Sequence, residues 1–327
     1  MDYTAPFIPT PVLHHHDSAM AFPDHVHKYI ATELSFGTIR GPFKEKLFHP
    51  WLQTNVLMTR PKKNSDHRRV ITELSWPTGQ SVNSGIEKHI YMGQPYKLCL
   101  PTIDDLCDHI KTLGRNCYLY SRDISRAYRD IQADPLDWPL LGFIWNNQYF
   151  YNISIPFRIC WGAMAMQRTS SKLNFIMQRE NHTNFNYIDD IAGVASSSHE
   201  ATSRYRCLKE LFIELGLNES ETKAQTPHHT MTWLGIEFDT AAMQIRMPAE
   251  KIEQTMALLR HWKAKTRATR KQIQKLLGRL FHIGKTCHSA RLFVSRMLDT
   301  VRASPAVGTI KLSTEFRKDI NWFLDRK

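Results

Sequence analysis

The feature that most constrains this 327-residue chain is a pair of adjacent acids, Asp189 and Asp190, between two short, partly apolar runs. The runs over 184–187 and 191–195 predict two strands joined by a tight hairpin with both carboxylates at its tip. Further upstream, cysteine, aromatic and leucine residues lead into Asp123, which predicts a third acid at the end of a buried strand. Like charges repel one another, so three carboxylates brought together require a cation that neutralises them.

The candidate ligands are all oxygen atoms, a donor set that Mg²⁺ and Mn²⁺ prefer. We therefore expect a metal site formed by Asp123, Asp189 and Asp190. The alternative is that the Asp pair lies in an ordinary solvated turn. The strand that leads into Asp123 favours the metal site, because two strands can place three carboxylates together.

The net charge of +12, from 43 Lys and Arg against 31 Asp and Glu, indicates a polyanionic partner. Nucleic acid is favoured over an anionic membrane surface, because no apolar run approaches the ~20 residues that span a bilayer. The six cysteines form no Cys-x-x-Cys pair, so we expect free thiols rather than zinc sites. We expect a soluble intracellular protein of the cytoplasm or nucleus, without a membrane partner; no pattern indicates its oligomeric state.

Local patterns predict an α+β chain in which strand, helix, hairpin and helix follow one another, the split β-α-β pattern of an RRM-like antiparallel sheet. Residues 232–238 and 243–247 predict one further hairpin. In chain order we predict a short helix near 26–34, a basic hairpin over 55–74, a helix over 101–113, the strand to Asp123, a hairpin over 140–151, a helix over 160–177, the acidic hairpin and a helix over 198–215.

The last third of the chain is predicted to be helical and is strongly basic. Eleven Lys and Arg and no acid lie between Glu253 and Asp299. A surface of one sign repels itself, and a phosphate backbone would compensate it; the alternative is a merely solvated basic surface. The residues expected to contact phosphates are Arg267, Arg270, Lys271, Lys275 and Arg279, while Ile273, Leu276, Leu277 and Leu280 are spaced as a buried stripe.

These motifs occur in the order basic hairpin, Asp strand, Pro-Phe helix, Tyr-Ile-Asp-Asp hairpin, Lys loop, Trp-Leu-Gly hairpin and basic helices. With its motifs in this order, the region over residues 55–300 resembles a reverse transcriptase. Segments 69–75 with 81–83, 124–129, 163–169 and 233–236 most resemble the DIRS-type retrotransposons, which carry a tyrosine recombinase. The resemblance implies an α+β right-hand polymerase fold, with fingers, an RRM-like antiparallel palm sheet flanked by helices, and a helical thumb.

The resemblance also implies a division of the chain. The parts are an N-terminal arm over 1–50, fingers over 51–115 with part of 132–160, a palm over 116–131 and 160–247, a thumb over 248–305 and, over 306–327, the start of a connection toward an RNase H domain that this sequence does not include.

The implied activity is template-directed DNA synthesis from dNTPs on an RNA or DNA template-primer. The resemblance makes Asp123, Asp189 and Asp190 ligands of two Mg²⁺ or Mn²⁺ ions, with help from the carbonyl oxygen of Ile124. One ion would lower the pKa of the primer 3′-hydroxyl, and the other would neutralise the triphosphate and the leaving pyrophosphate.

The remaining site residues are likewise implied by the resemblance. Tyr128 matches the aromatic residue under the sugar of the incoming nucleotide, where its ring would exclude a 2′-hydroxyl. Lys223 matches a lysine near the leaving group that acts as general acid. The cations that bind the triphosphate are matched by Lys62 or Lys63 together with Arg68, or with Arg69 in place of Arg68. The Pro-Phe pocket and its helix are matched by Phe157 and Gln167. The segment that supports the primer terminus is matched by 233–236.

One departure from the family leaves the activity open. Reverse transcriptases have Gly after the Pro-Phe pair, where this chain has Arg158, and a side chain there could obstruct the backbone and the nucleotide. The alternative function is a catalytically inactive relic of a retroelement that only binds nucleic acid. An RNA-dependent RNA polymerase on the same palm is disfavoured by Tyr128 and by Tyr-Ile-Asp-Asp in place of Gly-Asp-Asp.

Overall fold

The computed structural model describes residues 3–4, 13–48, 53–62, 65–91 and 93–325, which form a mixture of helices and sheets in two compact units. None of the helices in these ranges combines the length and apolar character needed to cross a membrane. The first unit comprises Met1–Pro101, Arg122–Ile191 and Arg206–Ala224, and the second comprises Thr102–Ser121, Ala192–Tyr205 and Gln225–Lys327.

The helices and strands follow the predicted order closely. The helices are α1 (Asp17–Met20), α2 (Pro23–Ser35), α3 (Ile103–Leu113), α4 (Gly162–Arg179), α5 (Ser198–Glu214), α6 (Ala249–Ala264), α7 (Arg270–Ile283), α8 (His288–Arg302) and α9 (Thr314–Asp325). The strands are β1 (Ile39–Phe43), β2 (Thr54–Pro61), β3 (Arg68–Glu73), β4 (Ile90–Tyr91), β5 (Gln94–Pro95), β6 (Tyr118–Asp123), β7 (Gly142–Trp145), β8 (Gln148–Asn152), β9 (Asn184–Tyr187), β10 (Asp190–Ala195), β11 (Gln225–His228), β12 (Thr230–Trp233), β13 (Ile236–Asp239), β14 (Gln244–Arg246), β15 (Arg267–Thr269) and β16 (Thr309–Lys311).

A five-stranded sheet of order β1-β8-β7-β2-β3 dominates the first unit. The antiparallel pairs β2–β3 and β7–β8 confirm the two hairpins predicted over 55–74 and 140–151. Helix α2 begins with Pro23 and packs Val26 and Ile30 into the core of this sheet. The sheet and α2 thereby form one packed body, in which the basic hairpin has a fixed place.

The acidic hairpin is confirmed as strands β9 and β10, in a four-stranded sheet of order β11-β6-β10-β9. Within this sheet Gly193 leaves room for an aromatic ring: a Cβ at residue 193 would lie 2.0 Å from the ring of Tyr120, which is fully buried. The acids at the ends of β6 and β10 therefore stand on closely packed strands.

In the second unit the hairpin predicted between 232–238 and 243–247 is confirmed as the antiparallel pair β13–β14, but residues 232–238 are not one continuous strand. The chain reverses twice and forms the three-stranded antiparallel sheet β12-β13-β14. The first reversal falls at Leu234 and Gly235, whose φ angles are 48° and 74°. The ammonium of Lys251 donates a hydrogen bond of 3.0 Å to the carbonyl oxygen of Gly235. The Trp-Leu-Gly motif is thus a tight turn rather than the interior of a strand, because two consecutive residues with positive φ reverse the chain.

Helices α6 to α9 of the second unit share one apolar core. The predicted stripe on α7 is confirmed, since Ile273, Leu276, Leu277 and Leu280 are each at most 5% exposed. Within 306–327, strand β16 and helix α9 join this structure, and Phe316, Ile320 and Phe323 are buried in the same core. The division of the chain at residue 305 remains a prediction. All six cysteines are free thiols, as predicted.

Candidate active site

The two segments that carry the acids are joined by their backbones. Asp123 is the last residue of β6, and Asp189 and Asp190 lie at the turn between β9 and β10. The backbone N–H of Ile124 donates a hydrogen bond of 2.8 Å to the carbonyl oxygen of Asp189. Because this bond ties the end of one strand to the tip of the hairpin, the backbone segments that carry the three predicted acids lie side by side.

These carboxyl groups disfavour one another's ionisation. Burial raises the pKa of Asp190 to about 7, and the charges of Asp123 and Asp189 add to the effect. Burial also raises the pKa of Asp189, and the charge of Asp123 adds to it. Partly buried acids that repel one another hold protons near neutral pH unless a cation is close. The cluster therefore has the electrostatic property expected of a cation site.

Lys223 supplies a positive charge to one of the acids. Its Nζ atom lies 2.8 and 2.9 Å from the two carboxylate oxygens of Asp123. The loop before it is anchored, since the N–H of Ser220 donates to the carbonyl oxygen of Asp123 at 2.9 Å. The Lys223 side chain is 63% exposed. It is therefore a cation that can leave the carboxylate without breaking a core contact.

The acids are suitable ligands for a divalent cation, but their side chains are not arranged as a metal site. Carboxylate oxygens are the ligands that Mg²⁺ and Mn²⁺ prefer, and the raised pKa values of Asp189 and Asp190 signal uncompensated negative charge. Among the described residues, however, no group of three or more His, Cys, Asp or Glu side chains is arranged to hold a metal ion. Asp123 would have to exchange Lys223 for the metal, since the ammonium now lies against both of its oxygens.

A cavity of about 730 Å³ opens beside the acids, entirely within the first unit. Its volume lies within the range of about 300–1,000 Å³ that is typical of small-molecule sites. The sequence-predicted residues that line it are Lys62, Arg68, Asp123, Ile124, Tyr128, Phe157, Asp189 and Lys223. The fold therefore brings most of the predicted nucleotide site together around one space, whereas Lys63 lies outside the described residues.

Two aromatic rings stand together at this cavity. The rings of Tyr128 and Phe157 meet edge to face, with centroids 5.7 Å apart and planes inclined by 82°. Burial raises the pKa of Tyr128, and the nearby charge of Asp189 adds to it. Gly162 gives the pair room, because a Cβ there would lie 3.2 Å from the Tyr128 ring. Tyr128 is thus fixed between a second ring and the acids.

The neighbouring cations Arg68 and Arg69 both line the cavity. Either of them can therefore match the triphosphate-binding cation of the reverse transcriptase motif. The guanidinium of Arg68 stacks 3.8 Å from the ring centroid of Phe22, and its Nε donates to the hydroxyl of Thr59 at 2.9 Å. The guanidinium of Arg69 lies 5.3 Å from the centroid of Phe157. Each is positioned by an uncharged partner and retains its charge for a ligand.

Gln167 occupies a different place from the nucleotide contact that the resemblance implied. Its side chain is buried and is not part of the cavity wall. The amide nitrogen donates to the carbonyl oxygen of Asn186 at 2.8 Å, and the amide oxygen accepts from the N–H of Ile188 at 2.7 Å. Gln167 therefore holds the turn that carries Asp189 and Asp190, and acts on the site through the backbone.

Arg158 adopts the conformation for which the family uses glycine. Its φ angle is 80°, in the left-handed region, and its carbonyl oxygen accepts a hydrogen bond of 2.9 Å from the side-chain amide of Asn83. The guanidinium binds the Glu73 carboxylate at 2.9 Å. Arg158 is absent from the cavity wall. The expected obstruction is therefore not seen in the described structure, because the side chain points to β3.

A buried cluster of charges, which no sequence pattern predicted, ties α2 to the segment after Asp123. Glu33 of α2 accepts hydrogen bonds from Arg126 at 3.0 Å and from Arg129 at 2.8 Å. Burial alone would raise the pKa of Glu33, but the charge of Arg129, the hydroxyl of Thr38 and the charge of Arg126 outweigh it and lower that pKa. The helix itself was predictable, but no local pattern could indicate partners 93 and 96 residues away.

The second unit carries the other candidate ligand surface, on α7. Its buried stripe faces the core, and the basic residues face solvent. Of the residues predicted to contact phosphates, Arg267 instead donates to the hydroxyl and carbonyl oxygens of Thr309 at 3.0 and 3.1 Å. The others, Arg270, Lys271, Lys275 and Arg279, are exposed and bind no carboxylate in the described part of the chain.

Comparison with known proteins gives a clear result for the fold. No family model matches the sequence, and no curated protein matches it. The structure of the foamy viral protease-reverse transcriptase in complex with double-stranded DNA resembles it with a TM-score of 0.72 at 13% identity, over 98% of this chain and 50% of that chain. The complex of the foamy viral protein with an RNA/DNA hybrid gives 0.70 at 13% identity, over 98% and 39% of the two chains.

The native prototype foamy virus protein gives a TM-score of 0.54 at 15% identity, over 98% of this chain and 38% of that chain. This chain thus spans half or less of the foamy viral chains that it resembles. The likeness covers nearly all of this chain, and at such low identity it establishes the fold alone. The chain has a reverse transcriptase-like fold.

Proposed function

We propose that this protein is an RNA-directed DNA polymerase that extends a primer on an RNA or DNA template, using dNTPs and Mg²⁺ or Mn²⁺. The observation that carries the proposal is the coupling of Asp123, Asp189 and Asp190 beside a cavity lined with cations and with Tyr128. The foamy viral relatives are described in complex with double-stranded DNA and with an RNA/DNA hybrid, which supports a nucleic-acid substrate.

In the proposed reaction the acids serve as ligands rather than as nucleophiles. Asp123, Asp189 and Asp190, with the carbonyl oxygen of Ile124, would hold two divalent cations. When bound, these ions neutralise charge on the triphosphate and lower the pKa of the primer 3′-hydroxyl. Gln167 keeps the turn at Asp189 in place through its two backbone hydrogen bonds.

Lys223 would have two successive tasks. Without metal, its Nζ neutralises Asp123. With Asp123 engaged by a divalent cation, the exposed Lys223 side chain would be free to turn toward the nucleotide. There Nζ can donate a proton to the leaving pyrophosphate oxygen, as a general acid.

Tyr128 and the basic hairpin would select the substrate. The Tyr128 ring lies edge to face against Phe157, and in the proposed complex it would occupy the space that a ribose 2′-hydroxyl needs. Arg68 and Lys62 line the same cavity and would bind the triphosphate. The nucleotide would therefore be recognised at its sugar by an aromatic ring and at its phosphates by cations.

A primer-extension assay tests the proposal. Purified protein, template-primer and dNTPs should give incorporation that requires Mg²⁺ or Mn²⁺. Asp190→Asn should lower the rate by at least about 10³-fold, because a metal ligand is lost. Asp104→Asn, on an exposed face of α3, is the matched control and should keep the wild-type rate. Absence of incorporation from folded wild-type protein that binds template-primer would refute the proposal.

The competing hypothesis is an inactive relic that only binds nucleic acid, and Arg158 separates the two. The polymerase hypothesis is supported by the Arg158 guanidinium, which binds Glu73 away from the cavity. We therefore expect Arg158→Gly to change the incorporation rate by less than about fivefold, since one exposed ion pair is worth little. Activity that appears only in Arg158→Gly would establish the relic instead.

We further propose that the chain derives from a DIRS-type retrotransposon and acts in the cytoplasm or nucleus. The motivation is the resemblance of segments 69–75 with 81–83, 124–129, 163–169 and 233–236 to that group. Sequencing the genomic locus tests the origin: a tyrosine recombinase gene in the same element supports it, and an integrase gene in its place contradicts it.

A further inference from the structure

The N-terminal helix α2 forms one wall of the candidate nucleotide site. Its cavity-lining residues recur at the spacing of a single helical face. They are His25, Lys28, Tyr29, Thr32 and Glu33. Val26 and Ile30 of the same helix are buried in the core of the five-stranded sheet. Helix α2 thus contributes both to this core and to the cavity wall.

The charges around the cavity do not balance. Three cations of the wall bind two carboxylates within it: Arg126 and Arg129 share Glu33, and Lys223 binds Asp123. Four further cations of the wall bind no carboxylate in the described part of the chain: Lys28, Lys62, Arg68 and Arg69. Asp189 is the only acid of the described wall left to oppose these four cations. The wall is therefore built for a ligand that carries several negative charges.

A nucleoside triphosphate fits this surplus better than a nucleic-acid backbone does. A triphosphate concentrates its charges within a few ångströms, whereas a backbone carries one charge per phosphate and spreads them along its length. The uncompensated cations converge on one cavity from two elements, helix α2 and the β2–β3 hairpin. Such convergence suits a compact polyanion.

We propose that Lys28, assisted by His25, binds the triphosphate of the incoming nucleotide, so that α2 is part of the substrate site. This inference rests on the proposed polymerase function. It gives the N-terminal helix a role that no motif of the sequence indicates. The chemical class of the ligand is a nucleoside triphosphate, held by a helix on one side and by the basic hairpin on the other.

Steady-state kinetics at saturating template-primer provide the first test. Lys28→Ala should raise the KM for dNTP about tenfold, the size expected for one charge-assisted contact, and should change kcat by less than about threefold. Lys28→Arg should restore most of the loss. Lys172→Ala is the matched control, because Lys172 is also an exposed lysine within a helix but lies on α4 outside the cavity wall. This control should keep the wild-type KM.

A binding measurement separates this inference from the proposed function. Titration calorimetry with inorganic tripolyphosphate requires no catalysis, and Lys28→Ala should weaken binding about tenfold while Lys172→Ala leaves it unchanged. If wild-type protein does not incorporate dNTPs but shows this loss of affinity, the polymerase proposal fails and the assignment of Lys28 stands. If incorporation is normal and neither KM nor tripolyphosphate affinity responds to Lys28→Ala, the assignment is overturned. A rise in the KM for template-primer alone would also overturn it.

Discussion

The cations that follow Asp123 along the chain and the cations of α7 are held in opposite ways. Around the cavity of the first unit, Arg126 and Arg129 share the buried carboxylate of Glu33, and Lys223 binds Asp123. On α7 of the second unit the cations extend into solvent without a described carboxylate partner, above a buried apolar stripe. These solvent-facing residues are Arg270, Lys271, Lys275 and Arg279.

The difference concerns what each surface can recognise. A guanidinium held by a partner has one position, so it can define the shape of a small site. A long side chain without a partner has many positions, and it can follow a phosphate backbone of any sequence. We therefore expect changes at the cavity to alter stability and substrate choice, and changes on α7 to alter salt-dependent affinity alone.

The largest effect should come from Glu33→Gln. Without the carboxylate charge, the largely buried guanidinium groups of Arg126 and Arg129 lose their counter-charge, which should destabilise the protein by about 3 kcal/mol. The matched change on α7, Lys275→Gln, should stay within about 0.5 kcal/mol. Chemical denaturation measures both variants. Equal and small effects would show that the two groups of cations do not differ in this way.

The next effect is a pH dependence of the metal-free protein. The folded pKa of Asp190 is about 7 against an ordinary value of 3.8, so between these pH values the folded state binds a proton that the unfolded state has lost. The resulting stabilisation is complete below about pH 4 and is lost as the pH rises through 7; after allowance for partial exposure it amounts to about 2 kcal/mol.

Denaturation in EDTA at pH 5 and pH 8 measures this dependence. Asp190→Asn should flatten the profile, and added Mg²⁺ should stabilise the wild-type protein more at pH 8 than at pH 5. A wild-type profile identical to that of Asp190→Asn would contradict the burial of charge at this position.

A smaller effect is expected on sugar selection. Tyr128→Ala or Tyr128→Gly removes the ring that fills the space of a 2′-hydroxyl, and should lower the preference for dNTP over NTP by roughly tenfold or more, about 1.4 kcal/mol. Competing incorporation of dATP and ATP measures the ratio. Tyr149→Ala, on strand β8 and outside the cavity wall, is the control. Unchanged selectivity in the Tyr128 variants would remove this residue from its assigned role.

The smallest effect should appear on α7. Neutralising Lys271 and Lys275 together should lower the slope of log affinity against log salt by roughly 1 to 2, with equal weakening for all sequences. Catalysis at saturating template-primer should change little. The control pair Arg302→Gln and Lys318→Gln removes the same charge from residues that bind acids three positions away, and should leave the slope unchanged. An unchanged slope in the α7 variant would mean that α7 is only a solvated surface.

The correct predictions from the sequence rest on local periodicity. The acidic hairpin, the basic hairpin and the buried stripe of α7 follow from patterns within about 15 residues, because burial of one face imposes its own spacing. The clustering of Asp123 with the hairpin tip required only that two strands pair. The turn at Gly235 was missed, because a run of apolar residues interrupted by one glycine also reads as a continuous strand.

The remaining features depend on distant partners. Arg158 looked obstructive because its neighbours in sequence give no hint of Glu73, 85 residues earlier. Lys223 and Asp123 are 100 residues apart, and their ion pair leaves no periodic trace in the sequence. The role of the cavity face of α2 could likewise not be predicted, because a mixed polar face on a short helix has the same sequence pattern as a solvated face. Long-range charge pairs determine these sites, and single-sequence patterns do not report such pairs.

The Glu33 cluster also bears on the order in which the protein is made. Arg129 follows Glu33 by 96 residues. Ribosomes add about 5–20 residues per second, so α2 emerges roughly 5–20 s before the guanidinium that neutralises it. During that interval the helix has a carboxylate that must stay in water, which keeps it from settling against the growing chain. Helix α2 of the nascent protein is therefore locked in place only after residue 129 has been added.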